Sequence, residues 1–339
     1  MDRITETRLN RLIERCGQGS HTHLYYLGDK EWFWDSKREA LIAYRSIGNR
    51  RIALGDPSGH PRSMRRAVQQ FIETCKQDRC IPAFYQTKSD MLPVYRELGL
   101  RAAKIGEEAI IDLTGFHMNG KAWLKQRNRL SKFRKSGYSF EVLTPPYTCQ
   151  LMDRLASISN EWLQQRKEKS FSVGAFHRDY VSRFPIAVMT GQGGRIEAFL
   201  TVAGACQEAT ETAQLNVDLM RYSADCPQGT MDYLILSLCL WGKEQGYGRC
   251  SLGMAPLANI NDMLVARLLY KYGNRIYNFK GLYEFKNKFE PNWEDVYLVY
   301  PPAGFSVTAA LVALAIHSPV SASQAARMAE SARYQESSI

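Results

Sequence analysis

The chain has no long apolar run. Nowhere in its 339 residues are there the roughly 20 consecutive apolar residues of a membrane-spanning helix. The longest candidate, Phe305 to Ile316, is too short and contains Ser306 and Thr308. The opening MDRITETRLNRLIER has no apolar stretch of the secretory type, so the chain is expected to be soluble or peripheral, on the cytoplasmic side. The cysteines (16, 75, 80, 149, 206, 226, 239 and 250) form no CxxC and have no histidine at zinc-finger spacing, a pattern of reduced structural thiols. No GxGxxG opens a helix, and GxxxxGK[ST], GxSxG and HExxH are absent. Dinucleotide, P-loop, serine-hydrolase and zincin chemistries are therefore disfavoured, and no metal or cofactor is expected. Acid is the scarcer charge: 34 Asp and Glu against 44 Lys and Arg give +10. That balance favours an anionic partner such as nucleic acid, a phospholipid surface or an acidic metabolite.

What is present is ordinary globular material, 45% hydrophobic and 23% charged, long enough for about two domains. Arg8, Leu9, Leu12, Ile13 and Cys16 mark an amphipathic helix. HLYYLGDKEWFWD suggests two aromatic strands around a Gly28-Asp29 turn. ALIAYRSIG and RIALGDP follow as strands, Pro61 opens a helix, and IPAFYQT, a short helix ended by Gly99, and KIGEEAIIDL complete a mixed half. After a basic helix over about Gly120 to Ser136, the plan recurs. SFEVL is a strand and Thr148 to Gln165 a helix. Strands are expected near 186–190, 195–205 and 212–220, then a helix over Thr230–Gln245, a strand over Cys250–Met254, a helix over Met263–Tyr272 and a strand over Asp295–Val299. The fold class is α/β with mixed sheets, in two successive units of acyltransferase-like plan. The tail beyond Ser318 reads as frayed or a loose helix.

Four constellations could carry chemistry. The basic helix holds Lys121, Lys125, Arg127, Arg129, Lys132, Arg134 and Lys135 with no acid among them. At 100° per residue, five of these share a side opposite Trp123, Leu130 and Phe133. Such a helix docks by its aromatic side and offers a cationic stripe to a phosphate backbone or an anionic bilayer; a merely solvated face is the bland alternative. In NVDLMRYS, Asp218 and Arg221 sit at or just past a strand end and suit a zwitterionic substrate, or an internal ion pair. In YNFKGLYEFKNKFEPNW, Lys280, Lys286 and Lys288 alternate with Tyr277, Phe279, Tyr283, Phe285 and Phe289. This suits a nucleotide end or a membrane interface, or aromatics packed inward on a strand and turn. SLGMAPLAN is a strand ending in Gly253 and Pro256, with backbone groups free to meet a substrate.

Several segments, in order, resemble the C-terminal cytosolic domain of the phosphatidylglycerol aminoacyltransferases, the multiple peptide resistance factor family. They are IALGDPSG (52–59), GEEAIIDL (106–113), KQRNRLSKFRKSGY (125–138), DLMRYSADCPQGTMDYLI (218–235), SLGMAPL (251–257) and IYNFKGLYEFKNKFEPNWEDVYL (276–298). The resemblance implies two tandem GNAT-like domains related to the Fem-type transferases: 1–118, a connecting helix 119–136, a catalytic 137–302, and a C-terminal helix and tail 303–339. It implies transfer of lysine or alanine from aminoacyl-tRNA to the glycerol hydroxyl of phosphatidylglycerol, which lowers membrane charge and gives resistance to cationic antimicrobial peptides. It further implies work at the cytoplasmic face of the bacterial inner membrane, and an N-terminal transmembrane flippase in full-length relatives. The DxxR motif becomes Asp218, for the α-ammonium or proton transfer, and Arg221, for a phosphate. Lys286, Lys288 and Lys280 would neutralise phosphate or hold the oxyanion, with Lys288 counted as catalytic beside Asp218 and Arg221. Tyr283 would line the pocket, Glu108 would meet the substrate amine, and Lys125, Arg127, Arg129, Lys132 and Arg134 would bind tRNA or membrane. Competing readings are an acyl-CoA-dependent N-acyltransferase on the same fold and a non-catalytic tRNA- or membrane-binding module.

Overall fold

Strands of alternating pattern pair into one sheet in the computed structural model, which describes residues 3–16, 19–164, 167–204, 210, 212–260 and 279–318. The strands are β1 (Glu31–Trp34), β2 (Ala40–Ile47), β3 (Arg50–Leu54), β4 (Ser58–Gly59), β5 (Ile81–Thr87), β6 (Arg101–Asp112), β7 (Ser139–Leu143), β8 (Ile186–Thr190), β9 (Ile196–Ala203), β10 (Gln214–Tyr222), β11 (Arg249–Pro256) and β12 (Asn292–Tyr300). Their order is β1-β2-β3-β5-β12-β6-β11-β10-β9-β8-β7, with β4 on β2. The last strand returns to lie antiparallel between β5 and β6, strands of the first half. The sheet thus runs unbroken across both halves of the sequence.

Helices cover both faces. They are α1 (Arg3–Cys16), α2 (Pro61–Gln77), α3 (Leu92–Glu97), α4 (Leu124–Lys135), α5 (Cys149–Leu163), α6 (Arg178–Val181), α7 (Thr230–Glu244), α8 (Phe279–Asn287) and α9 (Phe305–His317). Pro61 sits in the first turn of α2 as expected, and the Thr148 hydroxyl accepts the Leu151 N–H to cap α5. One face buries Ile52, Leu54, Ile105, Phe199 and Leu219 with Leu155, Phe171, Phe305 and Val312. The other buries Ala109, Ile111, Leu215, Val217 and Leu252 under Leu130, Phe133, Tyr233 and Leu234 of α4 and α7.

Two expectations change, and one open alternative is decided. HLYYL is not a strand: Thr22–Leu27 is a 3-10 segment closed by Gly28 at φ +72°, because its aromatics pack on neighbours rather than alternate across a sheet. DLMRY lies inside β10, not beyond its end. YEFKN belongs to helix α8, not to a strand and turn. The helix expected over Met263–Tyr272, Tyr277 and the tail from 319 lie outside the described residues.

The centre of the sheet is irregular where strands would otherwise run straight. Register shifts occur in β10 between Val217 and Met220, in β11 against β6 between Ser251 and Met254, and in β12 against β6 between Val296 and Tyr297. Gly253 stands within its shift at φ +76°, a backbone state that side chains disfavour. Bulges re-aim side chains. Here they bring polar groups from four adjacent strands to one face.

Candidate active site

Glu108 is the hub of that polar band. It is 2% exposed. One carboxylate oxygen accepts from Lys88 Nζ at 2.5 Å and Ser20 Oγ at 3.2 Å, and the other from Ser251 Oγ at 2.5 Å. Burial alone would push its pKa up, yet Lys88 and His21 outweigh burial and hold it at about 2. Lys88 also reaches Glu294 at 3.1 Å, and Arg249 pairs with the same carboxylate. The band is sealed at Glu108 and opens at the Lys88, Arg249 and Glu294 rim, whose side chains are part-exposed.

Lys286 enters the band from α8. Its Nζ donates to Gly253 O at 2.9 Å and Met254 O at 2.8 Å, carbonyls turned out by the β11 irregularity. Burial pulls its pKa from 10.5 down to about 7, against a smaller upward pull from Glu108. A neutral amine with both N–H groups donated keeps one lone pair to accept a proton. His21, whose charge bears on Glu108, bonds Gln86, which is held at φ +66°, and burial lowers the His21 pKa to about 4. Strained backbone of this kind persists where the surroundings over-determine it.

Asp218 and Arg221 meet through one loop. Asp218 accepts from Gly174 N at 3.1 Å and Tyr180 OH at 2.7 Å, with His23 Nε2 at 3.8 Å. Burial opposes its charge, but His23, Tyr180 and Gly174 together lower its pKa. Arg221 bonds Glu168 at 3.0 Å and stacks over Trp162 at 4.1 Å, and the other Glu168 oxygen accepts from Phe176 N at 3.0 Å. Both motif residues therefore grip the 168–176 segment. A hydrogen-bonded row links this place to the hub: Glu108 to Ser20, Ser20 to Gln214, and Gln214 to Asn216 two residues before Asp218. Asn216 Nδ2 in that row and His23 Nδ1 beside Asp218 are buried and have no partner among the described residues, so the network has capacity left for a polar ligand.

The remaining expected residues lie elsewhere. Lys288 pairs with Asp232 of α7 at 3.5 Å, and Arg129 pairs with the same carboxylate. With Lys125 and Gln126 they line a small pocket on the α4–α7 side, away from Glu108. Tyr283 stacks on Trp293 at 4.5 Å. Lys280 is exposed, 3.9 Å from Glu284. On α4, Phe133 stacks on Tyr233 at 4.8 Å, so the helix does dock by its aromatic side. Arg127 is spent on the carbonyls of Met118 and Gly120. Lys125, Lys132 and Arg134 face solvent.

Sequence reasoning missed Lys88, Ser251, His21, His23, Tyr180 and Glu168. None sits in a spacing that marks chemistry. SLGMAPLAN contains Ser251, but the motif's glycine and proline point to its backbone, and nothing in it marks the Ser251 hydroxyl as a partner of Glu108.

Comparison with known proteins bears on this geometry. The family model described as "Phosphatidylglycerol lysyltransferase, C-terminal" matches residues 10–300. A phosphatidylglycerol lysyltransferase of Bacillus subtilis is 36% identical over 300 residues, covering 86% of this chain and 35% of that protein. The chain thus spans about a third of the length of the curated relatives it matches. The solved structure of L-PGS from Bacillus licheniformis is similar at 37% identity and a TM-score of 0.82, covering 92% of this chain and 97% of that one. The FemX crystal structure, 8% identical at a TM-score of 0.55 over 91% of this chain and 98% of its own, shares the fold alone.

Proposed function

Because the chain belongs to the phosphatidylglycerol lysyltransferase C-terminal family, we propose that it moves an aminoacyl group from a charged tRNA to the glycerol hydroxyl of phosphatidylglycerol, at the cytoplasmic face of a bacterial membrane. Lysine or alanine is the group carried. The two-unit division, 1–118 and 137–302 joined through α4, is part of this reading, with β12 locking the second unit into the sheet of the first. In longer relatives a further N-terminal membrane portion would hold this domain near its lipid.

The reaction exchanges one ester for another. The glycerol oxygen attacks the aminoacyl carbonyl carbon, a tetrahedral oxyanion forms, and the bond to the terminal ribose oxygen breaks. The proton leaves the glycerol hydroxyl and ends on the ribose hydroxyl. The aminoacyl ester is already activated, so positioning can supply much of the barrier reduction, up to about 7–11 kcal/mol.

One observation carries the assignment: a buried lysine whose pKa sits near neutrality, its two N–H donors already engaged. Lys286 takes the glycerol proton and returns it to the ribose oxygen. Glu108 and Asp218, both buried and ionised, suit the aminoacyl ammonium. Arg221 acts by holding the 168–176 segment against Asp218. Lys125, Lys132 and Arg134 attract tRNA or the bilayer. Lys288 and Arg129, which both pair with Asp232, belong to that outer surface, with Tyr283 and Lys280 at its border.

The test is incubation with phosphatidylglycerol vesicles and a panel of radiolabelled aminoacyl-tRNAs, followed by lipid extraction. Wild type yields labelled lipid from one or two of the panel. Lys286→Met lowers the rate by about 10²-fold or more, the scale of general acid–base catalysis. A full rate in Lys286→Met removes the lysine from the chemistry, and no labelled lipid with any tRNA removes the transferase reading.

A further inference from the structure

A buried arginine stands at each end of α9, and the two are treated very differently. Arg45 of β2 donates from Nη1 to Ala315 O at 2.8 Å and from Nη2 to Ser318 O at 2.9 Å. Its charge meets the carbonyl end of the helix, where a cation is stabilised. Arg50, first residue of β3, stands at the amino end. Its Nη2 and Pro301 O each lie 3.5 Å from where a Cβ on Gly304 would be, and Thr308 Oγ1 lies 3.6 Å from the same point; Pro301 O already accepts from Gly304 N at 3.0 Å. Gly304 is the N-cap residue and gives no side-chain cap, so the first-turn N–H groups lack one acceptor they would ordinarily use.

Arg50 is only 9% exposed. Among the described residues its side chain makes one hydrogen bond, from Nη1 to Asn49 Oδ1 at 3.3 Å, and no carboxylate pairs with it. Its Nε is buried without a partner among the described residues, as is Thr308 Oγ1. A buried guanidinium needs a counter-charge, and the positive end of a helix dipole makes that need greater. Apart from the Pro301 carbonyl, which Gly304 N already engages, the groups gathered here are donors in want of an acceptor.

We propose that Arg50, the Thr308 hydroxyl and the first-turn N–H groups of α9 form a phosphate-binding site, distinct in its residues from the Glu108–Lys286 band. Its ligand is a phosphate group, carried on a glycerophospholipid or free in solution. The outward side of α9 beside it is uncharged, with Val307 53% and Leu314 50% exposed, a surface suited to acyl chains. That makes a lipid-borne phosphate one arm of the test.

The whole chain is unfolded thermally in phosphate-free buffer, with inorganic phosphate added in one series and dihexanoyl-phosphatidylglycerol, kept below micelle formation, in another. Two variants accompany it. Arg50→Gln removes the guanidinium. Gly304→Asp supplies a built-in anion and a helix cap, and a Cβ at Gly304 would make only ordinary van der Waals contacts, at 3.5–3.6 Å. Wild type gains Tm with ligand, and both variants lose that gain. Gly304→Asp also starts at a higher Tm than wild type when no phosphate is present. Protection by the lipid at concentrations well below those needed for inorganic phosphate assigns the site to a headgroup, and equal protection assigns it to free phosphate. Absence of any gain in wild type, or its survival in both variants, overturns the site. The readout needs no aminoacyl transfer, so the site and the transferase reading fail separately.

Discussion

Two regions of this molecule are rich in charge and use it in opposite ways. The central band buries Glu108, Lys286 and Asp218 and ties each to named partners. The α4 surface leaves Lys125, Lys132 and Arg134 in water. In the band, low dielectric amplifies each interaction, so pKa values move by units and a missing partner is costly. On the surface, water and salt screen the same charges to small individual effects whose sum still draws an anion from a distance. Counting cations along the sequence makes α4 the conspicuous feature. Burial makes the band the chemical one.

The sharpest way to break that comparison is Glu108→Gln. It leaves Lys88 with Glu294 as its remaining carboxylate partner and weakens the buried bonds to Lys88 and Ser251, so stability should fall by about 1–3 kcal/mol in denaturant unfolding. It also removes the carboxylate that raises the Lys286 pKa, so the pH profile of transfer should move to lower pH. An unchanged midpoint and profile would make the band ordinary packing.

Gly174→Ala comes next. A Cβ there would stand 2.1 Å from one Asp218 carboxylate oxygen and 2.3 Å from the other, so either the loop or Asp218 must move. Transfer should drop by about 10²-fold, the scale of an ångström's misplacement, for a stability cost of about 1–3 kcal/mol. Equal loss of fold and activity would mean the loop only holds the structure together.

The pH dependence of stability separates two of the band's buried groups, Lys286 and Glu108. The folded Lys286 has a pKa of about 7 against an ordinary 10.5. Between these values the unfolded chain holds a proton that the folded chain does not, so this lysine makes stability rise with pH across that window, and its burial penalty is full below it. Glu108, at about 2 against 4.5, contributes stability above 4.5 that is lost as pH falls toward 2. Denaturant unfolding from pH 7 to 10 should show an upward slope in wild type that flattens in Lys286→Met.

The smallest effects belong to α4 and test the other side of the comparison. Arg127→Ala strands the Met118 and Gly120 carbonyls and should cost about 1 kcal/mol. Lys132→Ala should leave stability unchanged. If Lys132 contacts duplex phosphate, it should reduce the salt dependence of tRNA binding by about 0.9 in the log–log slope. A stability loss in Lys132→Ala with no change in slope would invert the two roles.

Much of the architecture was legible because local signals agreed with the tertiary outcome. Pro61 heads a helix, Thr148 caps one, and IPAFYQT is a buried strand, each with a short-range cause. HLYYL misled because aromatic residues favour a strand and a packed 3-10 turn alike, and only neighbours decide. The DxxR spacing pointed to Asp218 and Arg221, but not to their joint hold on the 168–176 segment, since Gly174 and Glu168 are more than forty residues away in sequence. Lys286 and Lys288 look equivalent on paper. One turns inward to the Gly253 and Met254 carbonyls and the other outward to Asp232.

By itself, then, the sequence determined the mixed α/β elements, the aromatic docking side of α4, the excess of positive charge and the family to which the chain belongs. Only the tertiary structure decided that β12 returns between β5 and β6, that three register shifts turn Glu108, Ser251 and the Gly253 carbonyl toward one place, and that Lys286 is stripped of water there. Propensity and periodicity act over a few residues and are written locally. Desolvation and strand pairing depend on groups brought together from distant parts of the chain, and these set the charge state on which the chemistry rests.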